Sequence, residues 1–175
     1  VSLSDSLNWR RTYRNNFVDP KQGPRNTLVQ SRNFVEALNH EGETVWSRSS
    51  VSSDYRAGRV ALLKDDGSVR VLDSGDGELV GSRSVGSGYE HLRFSPGGEV
   101  YVQGDGVVAA VSRGGVEEKD LGFAPTSEPN FVDWDSDSGE EMVMAAGNQL
   151  KVVEPPETVP SASLSGSEVL VGDSD

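Results

Sequence analysis

Val69-Arg70-Val71-Leu72-Asp73-Ser74-Gly75-Asp76-Gly77-Glu78-Leu79-Val80 reads as an apolar strand, a polar turn rich in Gly and Asp, and a second strand opened by an acid. Glycine and aspartate are the residues that tight connections between antiparallel strands require. The same order of residue types recurs upstream, in Phe34-Val35-Glu36-Ala37-Leu38-Asn39-His40-Glu41-Gly42-Glu43-Thr44-Val45, and downstream, in Val107-Val108-Ala109-Ala110-Val111-Ser112-Arg113-Gly114-Gly115-Val116-Glu117. A weaker copy starts at Leu150-Lys151-Val152-Val153. Turn glycines 42, 77 and 115 set a period of about 35–40 residues, inside the range of repeat architectures.

Each copy after the first follows another strand. Arg59-Val60-Ala61-Leu62-Leu63 leads through the hairpin signal Asp65-Asp66-Gly67-Ser68; Val100-Tyr101-Val102-Gln103 leads through Gly104-Asp105-Gly106; Glu141-Met142-Val143-Met144-Ala145 leads through Gly147-Asn148. Two of these have one more strand before them, at His91-Leu92-Arg93-Phe94 and Phe131-Val132-Asp133-Trp134. The repeating unit is therefore four short antiparallel strands. Such a unit cannot cover its own apolar faces and needs neighbours on both sides.

Phe94-Ser95-Pro96-Gly97-Gly98 followed by Val100-Tyr101-Val102, and Asp65-Asp66-Gly67-Ser68-Val69-Arg70-Val71-Leu72-Asp73, resemble the blades of WD40- and quinoprotein-type β-propellers. The resemblance covers about residues 33–155 and departs from the WD40 pattern in lacking the Trp-Asp strand ending and the Gly-His pair. It implies the blade; with three full copies and one partial copy the expected fold is all-β, a small β-propeller of about four blades with an N-terminal arm. A β-sandwich or jelly roll built from the same strands is the alternative, because hairpin periodicity does not fix closure.

The expected organisation is a basic arm and first strand over 1–32, propeller-like repeats over 33–158, and a linker, closing strand and acidic tail over 159–175. In this scheme Thr27-Leu28-Val29-Gln30 adds a second strand to the first blade, and Glu168-Val169-Leu170-Val171-Gly172 supplies its missing one. Helical spacing is poor throughout; Leu3 to Arg14 has room for a short helix or an extended arm.

Composition limits the function classes. The chain has no cysteine, so disulfides and thiolate metal sites are excluded. No apolar run approaches the roughly 18 residues of a membrane-spanning helix, and Val1 to Asn15 lacks the apolar centre of a secretory signal. Net charge is −12, with few lysines; the balance resembles that of proteins from salt-loving archaea, whose self-repulsion concentrated salt screens. Against this background residues 1–32 are basic, carrying Arg10, Arg11, Arg14, Lys21, Arg25 and Arg32 against Asp5 and Asp19.

That arm also carries aromatics, so Trp9, Arg10, Arg11, Tyr13, Arg14 and Phe17 are the candidate partner-binding residues. It either reaches an acidic neighbour or lies on the chain's own acidic body. Nucleic acid is the less favoured partner, since the acidic body repels phosphate. Trp46 and Trp134 are expected to pack between blades.

Asp133, Asp135 and Asp137 are the candidate metal ligands, for Ca²⁺ or Mg²⁺, because alternate aspartates in a turn can wrap a hard cation. The match to a calcium loop is incomplete: Ser138 stands where glycine belongs, and Met144 occupies the twelfth position. No other cofactor is implied. For nucleophilic catalysis only His40, in a turn, and His91, at a strand start, offer a base. No catalytic residue is assigned.

The expected role is that of a non-enzymatic structural or interaction protein whose rigid β body docks into a larger assembly of protein subunits through the arm. A haloarchaeal virion or cell-surface array fits the composition. The alternatives are a sugar-binding or hydrolytic propeller with a pocket on its axis, and a regulatory protein-binding subunit.

Overall fold

The computed structural model describes residues 11–13, 18–23, 25–31, 33–135 and 139–158. These form four antiparallel sheets in chain order, each joining strands consecutive in sequence. The first contains β1 (Val18–Gln22), β2 (Thr27–Ser31), β3 (Phe34–Leu38) and β4 (Thr44–Ser49); the second β5 (Ser52–Arg56), β6 (Arg59–Leu63), β7 (Ser68–Asp73) and β8 (Leu79–Ser84). The third contains β9 (Tyr89–Phe94), β10 (Val100–Gly104), β11 (Val107–Ser112) and β12 (Gly115–Asp120). The fourth has three strands among the described residues, β13 (Asn130–Val132), β14 (Glu141–Ala146) and β15 (Gln149–Val153).

The middle strands are apolar without a break because both of their faces are buried. In β6, Val60 and Leu62 join Leu28, Val35, Ala37 and Trp46 of the first sheet, whereas Ala61 and Leu63 join Leu92, Val100 and Val102 of the third. In β11, Ala109 and Val111 face the second sheet while Val108 and Ala110 meet Met142 and Met144 of the fourth. Successive side chains point to opposite faces of a strand, so one run of residues serves two junctions. The sheets thus stack serially, face against face. The sandwich alternative, two facing sheets, does not occur.

A polar pin accompanies the first of these junctions. The Trp46 indole N–H donates to the Ser74 carbonyl at 3.1 Å, and the buried Asn26 amide donates to the same oxygen at 2.6 Å. Both donors belong to the first sheet side and the acceptor to the β7–β8 turn, which locks the register of one sheet against the next.

The strand beside β2 in the first sheet is Val18–Gln22; the closing strand expected at residues 168–172 lies outside the described residues. Pro20, which has no N–H to give, is tolerated there because β1 is an edge strand. The second sheet gains a strand at Ser52–Arg56 that apolar patterning misses. Trp134 does not pack between sheets: it is 65% exposed, whereas Trp46 is 5% exposed.

Candidate functional site

The first strands of the second and third sheets lie together. β5 packs along β9, and the backbone N–H groups of Leu92 and Phe94 donate to Ser52 Oγ (3.0 Å) and Asp54 Oδ2 (2.9 Å) of the neighbouring sheet. With β1 and the segment before β13, these strands line a cleft of about 670 Å³ that includes Asp19, Gln30, Ser53, His91, Arg93 and Glu128. Arg93 ties three sheets together, bonding Glu128 and lying 3.7 Å from Asp54. His91 Nδ1 is 3.4 Å from Glu128. His40 is far more exposed and pairs with Glu41 in the β3–β4 turn. The two histidines do not converge. The axial cleft therefore gathers polar groups, but its cation is already matched by carboxylates.

A second polar cluster lies on the face of the first sheet turned away from the second. The carboxylate of Glu36, buried in β3, accepts from Arg11 Nη2 (2.5 Å), the Tyr13 hydroxyl (2.8 Å) and the Thr44 hydroxyl (2.6 Å). Arg11 also reaches the Gly42 carbonyl at 3.3 Å. The Tyr13 ring stacks on Phe34 with centroids 5.9 Å apart. Of the six arm residues singled out for partner binding, Arg11 and Tyr13 are thus engaged by their own body; Trp9, Arg10, Arg14 and Phe17 lie outside the described residues. The buried acid that receives them was missed, because a lone Glu in an apolar strand reads as a solvent-facing residue.

Burial and the Glu36 carboxylate push the Tyr13 hydroxyl up to about 12; burial, with Glu99 and Glu140 nearby, does the same to Tyr101. An unfolded tyrosine ionises near 10. A group raised in this way stabilises the fold fully below its unfolded value, and that contribution is lost as the pH climbs through the folded one. Alkaline unfolding is therefore expected between pH ~10 and ~12. Tyr13→Phe keeps the stacking on Phe34 and is expected to remove part of that loss, measured as urea stability against pH.

The third site is the β13–β14 connection. One carboxylate oxygen from each of Asp133, Asp135 and Glu141 lies within 4.8 Å of the others. Asp137 lies outside the described residues. Burial raises the neighbouring Glu140 carboxyl, and Glu99, Asp133 and Glu141 add to this, against Arg56. Glu141 was not among the expected ligands, since it stands three residues before the twelfth position, where a calcium loop places its distal acid, and at the head of an apolar strand.

A fourth feature is the outer face of the last sheet. Met142, Met144, Phe131 and Val153 point toward the third sheet. Alternation puts Val132, Val143, Ala145, Leu150 and Val152 on the opposite face. There Leu150 is 72%, Val152 40% and Val132 38% exposed. Among the described residues no buried cluster joins this face to another sheet.

No family profile matches the chain, and no curated protein matches it in sequence. Solved structures do match. BBS1N in complex with ARL6DN aligns at TM-score 0.58 and 14% identity over 83% of this chain and 54% of that one. BamB from Moraxella catarrhalis aligns at 0.52 and 19% over 74% and 42%, and the WD40 domain of Toxoplasma gondii coronin at 0.50 and 15% over 81% and 46%. The chain spans about half the length of these matched structures.

Proposed function

We propose that this chain, an all-β protein with the β-propeller fold, is a non-catalytic protein-interaction scaffold that docks into a larger assembly through the open face of its fourth sheet. The observation that carries the reading is the run of exposed apolar side chains at Val132, Leu150 and Val152. They stand where each earlier sheet meets its neighbour. Contiguous apolar surface of this kind marks interaction sites. One of the similar structures, BBS1N, was solved in complex with another protein, ARL6DN, which agrees with a scaffold.

The first sheet's outward face is already occupied by Arg11 and Tyr13, so the simplest pairing sets two fourth sheets face to face about a two-fold axis. The arm in this reading finishes the first sheet, and Trp9 and Arg10, next in sequence, remain its candidates for partner contact. The acidic, lysine-poor composition suits an assembly that forms in concentrated salt, as in a haloarchaeal virion or cell-surface array.

The chain has no cysteine, so one introduced thiol reports on the pairing cleanly. Leu150→Cys is expected to yield a covalent dimer with a short bis-maleimide linker. Leu79→Cys, exposed on the second sheet, is expected to stay monomeric. Equal cross-linking at both positions would overturn the reading.

The axial cleft favours a second reading, a small polar ligand such as a sugar bound among Gln30, Ser53 and His91. A panel of sugars screened by thermal shift tests it. A saturable rise in Tm that His91→Ala removes supports it; no rise with any sugar contradicts it.

A further inference from the structure

The β13–β14 hairpin closes with Val132 paired to Glu141, and Trp134, two residues past Val132, turns its backbone N–H onto the Glu141 carboxylate. Glu141 is 3% exposed. Its Oε2 accepts the Trp134 backbone N–H at 2.5 Å, whereas Oε1 is buried with no hydrogen-bond partner. A carboxyl oxygen in that position lacks the hydrogen-bond partner that buried polar atoms ordinarily have. One oxygen of this carboxylate stands within 4.8 Å of a carboxylate oxygen of Asp133 and one of Asp135, residues that also have interactions of their own. Three carboxylates this close, one of them buried with an orphaned oxygen, call for a cation.

We infer that Asp133, Asp135 and Glu141 hold a calcium ion, with Glu141 as the buried ligand that anchors the loop. Ligand oxygens stand about 2.3–2.6 Å from Ca²⁺, so two on opposite sides of one ion are up to about 5 Å apart. The three carboxylate oxygens, all within 4.8 Å of one another, meet that limit without rearrangement. Mg²⁺, with strict octahedral geometry and reluctant dehydration, is held less readily by a cage of protein carboxylates. All three donors are hard oxygens, which suit Ca²⁺ over softer transition metals. The spacing differs from a calcium-binding helix-loop-helix because the distal acid is delivered by strand pairing.

Trp134 lies between the two aspartates in sequence and supplies a direct readout. Terbium, a calcium mimic, is expected to give tryptophan-sensitised emission with the full chain, and Ca²⁺ to displace it. Ca²⁺ alone is expected to raise Tm by several degrees, with Mg²⁺ less effective. Glu141→Gln keeps the shape of the side chain and its acceptor for Trp134 N–H. Without metal it is expected to match or exceed the wild-type Tm, and to lose at least tenfold in Ca²⁺ affinity together with the thermal response. Trp134→Phe is expected to abolish the emission while keeping the Ca²⁺-induced rise in Tm. A wild-type Ca²⁺ response in Glu141→Gln would mean diffuse binding to surface acids and would overturn the inference. So would the absence of any Tm change at millimolar Ca²⁺.

Discussion

Trp46→Ala is expected to cost the fold about 3–5 kcal/mol, the range for removing a large buried aromatic. The ring is 5% exposed, fills the junction of the first and second sheets, and fixes it through the bond to the Ser74 carbonyl. Its loss leaves both a cavity and an acceptor with one donor fewer. Gly77, in the β7–β8 turn, faces the same ring. Its φ of 73° is a conformation that costs an L-residue about 1–2 kcal/mol. A Cβ there would also stand 2.6–2.9 Å from three atoms of the Trp46 indole. Gly77→Ala therefore combines backbone strain with a collision against a ring that is held on its other side. In a Trp46→Ala background the collision disappears and only the strain is left. The two substitutions together are expected to cost less than their sum, by about 1–3 kcal/mol, as coupled contacting sites do. Urea denaturation of the four proteins of the cycle measures this; additivity within about 0.5 kcal/mol would show that Trp46 and Gly77 are not in contact.

The sequence announces the parts of this fold that are buried on both sides. Arg59–Leu63, Val100–Gly104 and Val107–Ser112 are continuous apolar runs because each serves two junctions, and their Gly-Asp turns mark where they reverse. The strands along the axial cleft carry no such signal. Val18–Gln22 (VDPKQ) and Ser52–Arg56 (SSDYR) border a polar cleft, so hydrophobic periodicity is missing from them even though their backbones pair fully with β2 and β6. That is why the sequence pattern leaves the first sheet without its edge strand.

The sites divide in the same way. Asp133 and Asp135 stand out by spacing, but Glu141 becomes their companion only through the pairing of Val132 with Glu141, which no spacing rule contains. Arg11 and Tyr13 are legible as recognition residues by type. Their destination, a buried glutamate on the neighbouring face, depends on a contact spanning more than twenty residues of sequence. Trp46 and Trp134 are alike as residues; one faces a second sheet and the other does not.

Leu150→Glu combined with Val152→Glu is expected to have the largest effect on association. Burying a leucine or valine side chain contributes about 1.5–3 kcal/mol each, and a two-fold pair counts each position twice. The substitutions remove that gain and set four carboxylates against one another across the contact. At the net charge of −12 per chain two copies already repel, so association is expected to strengthen with salt as screening shortens to about 3 Å at 1 M. The fold should be unaffected, since neither side chain belongs to a buried cluster.

Sedimentation equilibrium across a concentration series, at low salt and at about 1 M salt, tests the open-face account most directly. It should return a mass that rises from 18.7 kDa toward twice that value as salt increases, and a monomer under every condition for the Leu150→Glu, Val152→Glu protein. A wild-type monomer throughout, or a double variant that associates as strongly as the wild type, would contradict it.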